Sequence, residues 1–138
     1  MNRMNKKINS IEFISNGNLY DLRLQETDQD DKVRQYENGY LKGVAAIENN
    51  EPSEIVVLLK SIEIMRDTDF VIKAIEFEKD NELYELRLQD ISNGDCKVRL
   101  YKNNEYIDKL SKSDTEDKYN IVLIRALGIL NSSQRRVV

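Results

Sequence analysis

The stretch LYDLRLQ at residues 19–25 returns as LYELRLQ at residues 83–89, in a chain of only 138 residues. A chain that repeats itself at this length is expected to build its core from two copies of one unit. The match extends well beyond these heptads. Ile11, Glu12 and Phe13 correspond to Ile75, Glu76 and Phe77, residues 22–25 to 86–89, and, after one inserted residue, Lys32, Val33, Arg34 and Tyr36 to Lys97, Val98, Arg99 and Tyr101. A second insertion aligns Tyr40 and Leu41 with Tyr106 and Ile107, and further on Ile55, Leu58, Leu59, Lys60 and Ile62 find Ile121, Leu123, Ile124, Arg125 and Leu127. The period is about 65 residues, which points to a duplicated gene.

Inside each copy the hydrophobic period changes from two to 3.6. SIEFI, residues 19–25 and KVRQYE alternate as half-buried strands do, and SNGN and ENG mark tight hairpins. YLKGVAAI supplies a fourth strand; AIEFEK, ELYELRLQ, KVRLYK and EYIDKL are the matching pieces, with KDNE and NNE at the turns. Helical spacing follows each set. Ile55, Leu58, Leu59, Ile62 and Met65 form one apolar stripe behind Pro52 and Ser53, and residues 119–130 form another behind the acidic capping stretch SDTED. The expected fold is α+β: two tandem ββββα repeats, each an antiparallel meander sheet covered by one helix, related by a pseudo-twofold axis. The domain reading is one compact unit made of residues 8–66 and 71–130, flanked by basic flexible tails at 1–7 and 131–138.

Strand alternation sorts side chains by face. Tyr20, Leu22 and Leu24, with Val33 and Leu41, and their counterparts Tyr84, Leu86, Leu88, Val98, Leu100 and Ile107, are assigned to the core. Arg23, Arg34, Tyr36 and Tyr40, and Arg87, Arg99, Tyr101 and Tyr106, then share an outer face, twice over. Aromatic rings that stack on bases and arginines that meet phosphates are what a single-stranded nucleic-acid platform requires. Cross-strand pairing of the arginines with Glu12, Asp21, Glu76 and Glu85 is the competing reading, in which this face is scaffold.

Other chemistry is thinly represented. The chain has no histidine, which removes the commonest general base and the usual zinc ligand, and no Gly-rich phosphate loop or nucleophile elbow is present. No catalytic residue, metal site or cofactor is expected, and the protein reads as a non-enzyme. TDQDD at 27–31 and DISNGD at 90–95 lack the spacing of a calcium loop and read as turns. Cys96 is the single cysteine and reads as a buried, inert thiol, consistent with the cytoplasm. No apolar run approaches the ~20 residues of a membrane span. The net charge of −4 argues against indiscriminate duplex binding, which draws on phosphate neutralisation.

A doubled ββββα unit with an exposed polar and aromatic sheet face resembles the Pur-alpha-like (PUR) repeat family and, less closely, the whirly and transcription-cofactor single-strand binders. The resemblance covers about residues 8–130 and implies sheet surfaces that bind single-stranded DNA or RNA. The alternative is an acidic adaptor or inhibitor acting on a protein partner through Asp28, Asp30, Asp31, Asp114, Glu116 and Asp117. Either a monomer with an intrachain pseudo-dimer or a homodimer fits the duplication.

Overall fold

A computed structural model of the chain describes residues 6–26, 31–47, 52–90, 96–112 and 117–132. The element order is β1 (Lys6–Ser15), β2 (Asn18–Gln25), β3 (Lys32–Glu37), β4 (Tyr40–Ala46), α1 (Val56–Met65), then β5 (Phe70–Lys79), β6 (Glu82–Asp90), β7 (Cys96–Lys102), β8 (Glu105–Ser111) and α2 (Ile121–Asn131). The two meanders do not form separate sheets, as the repeat pattern had suggested. They join edge to edge through antiparallel β1 and β5 into one eight-stranded sheet, ordered β4-β3-β2-β1-β5-β6-β7-β8.

The physical reason is the first strand of each repeat. Lone, it would leave a long row of unpaired backbone groups over an apolar surface, and pairing the two removes both edges at once. Ile11 lies opposite Ile75, its own counterpart, so the pseudo-twofold passes between these two fully buried side chains. The seam obeys that symmetry down to its irregularities. The register slips at Asn9 and again at Lys73, and each slip frees the amide before it to donate to the turn preceding a helix: Ile8 N–H to the Glu54 carbonyl (2.9 Å) and Ile72 N–H to the Tyr119 carbonyl (3.1 Å).

Every meander hairpin between β1 and β2, β3 and β4, β5 and β6, and β7 and β8 turns on two residues with positive φ. They are Asn16 and Gly17, Asn38 and Gly39, Asp80 and Asn81, and Asn103 and Asn104, the residue types that tolerate the left-handed turn matching strand twist. Asn38 and Asn103 also reach back with their side-chain oxygens to accept from Leu19 N–H and Leu83 N–H, at 2.9 and 3.0 Å.

Both helices lie on one face of the sheet, α1 across β1 and β2 and α2 across β5 and β6. Val56, Val57, Ser61 and Met65 of α1, and Ile121, Val122, Ala126 and Leu130 of α2, are buried at identical spacing. They close a core with Ile11, Phe13, Leu22, Ile75, Phe77 and Leu86, inside which Phe13 stacks on Tyr20 at 5.3 Å and Phe77 on Tyr84 at 5.2 Å. Helix 1 begins three residues past Ser53, with no side-chain cap at Ile55. Ahead of α2, Asp117 accepts from Tyr119 N–H at 3.0 Å; residues 113–116 of the expected capping stretch lie outside the described residues.

The two helix ends are finished differently. Ser15 donates to Thr68, whose hydroxyl donates to the Met65 carbonyl. At the matching place in the second repeat Lys79, only 2% exposed, donates to the Ile129 and Ser132 carbonyls and the Ser132 hydroxyl at 2.7–2.9 Å. Burial, and then the charge of Lys6, press its pKa down; favourable interaction of a cation with a helix C-terminus works the other way. Among the described residues no helix is long and apolar enough to cross a membrane.

Candidate nucleic-acid interface

The sheet face away from the helices carries no covering element among the described residues, and it divides into a centre and two flanks. The centre straddles the β1–β5 seam. Arg23 on β2 pairs with Asp21 on its own strand (3.1 Å) and reaches Glu76 of the other repeat (3.9 Å). Arg87 on β6 does the same, with Glu85 at 2.6 Å and Glu12 of the other repeat at 3.5 Å. Burial opposes the Arg87 charge, but the Glu85 hydrogen bond and the Glu85 and Glu12 charges outweigh it and raise its pKa. Each arginine therefore bridges the pseudo-twofold, and the scaffold reading describes Arg23 and Arg87 well. Asp21 and Arg23, with Glu12, Leu19, Tyr36 and Gly39, also line a shallow cavity of about 310 Å³.

The flanks are built differently. Arg34 on β3 stands directly opposite Arg23, and Arg99 on β7 directly opposite Arg87. Like charges in facing positions destabilise a sheet, yet the arrangement occurs in both repeats. The central arginine is neutralised by its carboxylates. Its neighbour is held instead by neutral groups: Arg34 Nε donates to Gln25 Oε1 at 2.8 Å and its Nη1 to the Tyr36 hydroxyl at 3.3 Å, while Arg99 Nε donates to Gln89 Oε1 at 3.0 Å. No carboxylate of the described residues forms an ion pair with Arg34 or Arg99. Among the described residues these two guanidiniums have neutral partners only, which hold them in a fixed orientation.

The aromatic groups complete the second flank. Tyr101 and Tyr106 are opposed across β7 and β8 and meet edge to face at 5.7 Å, with the Arg99 guanidinium 5.4 Å from the Tyr106 ring centre. Tyr106 remains half exposed. On the first flank the residue opposite Tyr36 is Leu41, and Tyr40 faces Glu37 instead. Tyr40 thus points to the other side of the sheet, 73% exposed at the hairpin tip, and does not join the cluster.

This corrects both the expected alignment and the expected inward placement of Leu41 and Ile107. Leu41, not Tyr40, is the counterpart of Tyr106, since Tyr36–Leu41 and Tyr101–Tyr106 are equivalent pairs. A register slip follows each pair, at Lys42 in β4 and Ile107 in β8, and it reverses the alternation by which the fourth strands had been sorted. Ile107 is half exposed at that slip. The helices show a similar one-residue shift, with Val56 rather than Ile55 answering Ile121.

Seven of the eight expected residues therefore share the open face. They form a paired centre (Arg23, Arg87) and two flanks (Arg34, Tyr36; Arg99, Tyr101, Tyr106). Sequence reasoning passed over Gln25 and Gln89, which orient the flank arginines. It also passed over Lys97 and Lys109, which share the open face with Arg99.

Of the acidic set, Asp28, Asp30, Asp114 and Glu116 lie outside the described residues, and Asp31 and Asp117 sit on loops flanking β3 and α2. No group of three or more histidine, cysteine, aspartate or glutamate side chains suited to a metal occurs among the described residues. Cys96 is buried at the start of β7. Comparison of the chain with protein-family models, curated proteins and solved structures gave no match.

Proposed function

We propose that this protein is a non-catalytic, cytoplasmic binding protein that takes single-stranded DNA or RNA on the open face of its sheet. The carrying observation is the retained Arg–Arg opposition. In both repeats an arginine with no carboxylate partner among the described residues is placed against another arginine and locked by a glutamine, at a cost to the sheet that an arriving phosphate would offset. Tyr36, Tyr101 and Tyr106 beside these cations supply ring faces and edges for bases, each stacked base contributing ~1–3 kcal/mol. The doubled ββββα order, through its resemblance to the PUR repeats, supports the same reading.

The centre shapes how a strand would lie. Glu12, Asp21, Glu76 and Glu85 outnumber Arg23 and Arg87 there, so phosphates are steered to the flanks and along the outer strands. A stiff duplex could not follow one flank without approaching the acidic centre. Fluorescence anisotropy with labelled single-stranded DNA, single-stranded RNA and duplex DNA, at low and physiological salt, tests the reading. The expected result is single-strand preference, lost ~10-fold or more in a folded Tyr36→Ala/Tyr101→Ala variant. Absence of binding at low salt would overturn it, and copurification of a protein lost on neutralising Asp31 and Asp117 would favour the adaptor function instead.

A further inference from the structure

Resting on that reading, we infer that the two flanks are no longer equivalent and that the β7–β8 flank is the strand-binding site, so that each chain takes up one single strand. The pseudo-twofold makes the comparison residue by residue. Opposite Tyr101 stands Tyr106, and opposite Arg99 stands Lys109; the matching places opposite Tyr36 and Arg34 hold Leu41 and Val44. The outermost strand has thus kept, on one side, an aromatic ring and a cation, and on the other two aliphatic side chains, both about half exposed. Neither aliphatic residue is explained by burial, and neither can stack a base or meet a phosphate.

Chemistry on the β7–β8 flank is continuous. Lys97, Arg99 and Tyr101 alternate along one face of β7, spanning ~13 Å at ~3.3 Å per residue, as Lys32, Arg34 and Tyr36 do on β3, but only here are a cation and a ring, Lys109 and Tyr106, alongside on the outer strand. Their three positive charges lie on the side of the sheet away from the acidic seam. The Arg99–Tyr106 contact leaves the ring half exposed while fixing its tilt, so a base would meet a surface already ordered. The ligand class is a single-stranded polynucleotide whose backbone follows β7 and whose bases turn toward β8.

The experiment compares losses and a gain on the full chain, with far-UV circular dichroism confirming folding. A labelled single-stranded oligonucleotide of about eight residues, within the ~4–16 nucleotide range of single-strand modules, is titrated against wild type, Arg99→Gln/Tyr106→Leu, Arg34→Gln/Tyr36→Leu, and Leu41→Tyr/Val44→Lys. The expected results are one oligonucleotide per chain and a loss of at least ~10-fold in the β7–β8 variant. The β3–β4 variant should lose less than about 3-fold, and Leu41→Tyr/Val44→Lys should bind a second oligonucleotide. Equal losses on both flanks, or two oligonucleotides on wild type, would overturn the inference while leaving the sheet face as the site. Wild-type binding untouched by either loss variant, or no binding by wild type, would overturn the underlying function as well.

Discussion

Replacing Ile11 by alanine removes one of the two side chains that meet on the pseudo-twofold, and Ile75→Ala removes the other. Both are 0% exposed and directly opposed across the seam, with Phe13, Phe77, Leu22 and Leu86 in the same core. Truncating an isoleucine in such a site costs ~2–5 kcal/mol, the lost transfer energy plus the cavity. Against a total stability of ~5–15 kcal/mol, either change is severe but survivable. With a urea slope of ~2 kcal/mol per molar, the midpoint should fall by ~1–2.5 M. Because the surroundings repeat, the two single variants should agree within ~0.5 kcal/mol, and the double variant should depart from their sum, since neighbours share one cavity. Urea unfolding followed by tyrosine fluorescence and far-UV circular dichroism is the assay. One sheet predicts one coincident transition for wild type and both variants. Two separated transitions, or a loss below ~1 kcal/mol for both variants, would refute a core shared across the seam.

Arg87→Gln should lower stability by less than ~1 kcal/mol, because the Arg87 side chain is half exposed in both of its ion pairs, and should weaken oligonucleotide binding less than Arg99→Gln does in the same anisotropy titration. Gly39→Ala places a Cβ on a residue at φ +88°; it should cost about 1 kcal/mol, read as a fall in Tm of roughly 3–5 °C. Affinity for a single strand should stay flat between about pH 6 and 8, since the chain has no histidine, the side chain that ordinarily changes charge there. Stability should decline in strong alkali as Lys7 titrates. Burial opposes the Lys7 charge, yet its hydrogen bond to Glu26 and the charges of Glu78, Glu26 and Asp31 raise its pKa above 10.5. Its contribution is therefore complete below 10.5 and fades as pH passes the raised value; Lys7→Met should flatten that limb of the curve.

Strand positions, hairpin turns and the faces of β2, β3, β6 and β7 were readable because each depends on local chemistry. Alternation places Arg23, Arg34 and Tyr36 outward, and Asn-Gly or Asp-Asn at a turn demands a tight hairpin. The seam was not readable in the same way. Pairing β1 with β5 is a nonlocal choice between two strands that each could have remained an edge, and nothing in SIEFI or AIEFEK names its partner. The fourth strands failed for another reason. One extra residue at Lys42 and at Ile107 inverts the phase of everything beyond it, and a bulge leaves no mark in an alternation this short. Lys79 shows a third kind of blindness: a lysine ending a strand looks solvated in the sequence, and only the helix terminus above it reveals a buried cap. Within the site, the residue types were visible but their division was not. The carboxylates that neutralise Arg23 and Arg87 come partly from the opposite repeat, so the distinction from Arg34 and Arg99 exists only once the sheet is continuous.

The most direct measurement is a ¹⁵N chemical-shift map of the 138-residue chain titrated with a short single-stranded oligonucleotide at low salt. Shifts are expected to concentrate on β7 and β8, around Arg99, Tyr101, Tyr106 and Lys109, with smaller changes near Arg34 and Tyr36 and a quiet helical side. Shifts centred on α1 and α2, or none at all at saturating oligonucleotide, would contradict the proposed site.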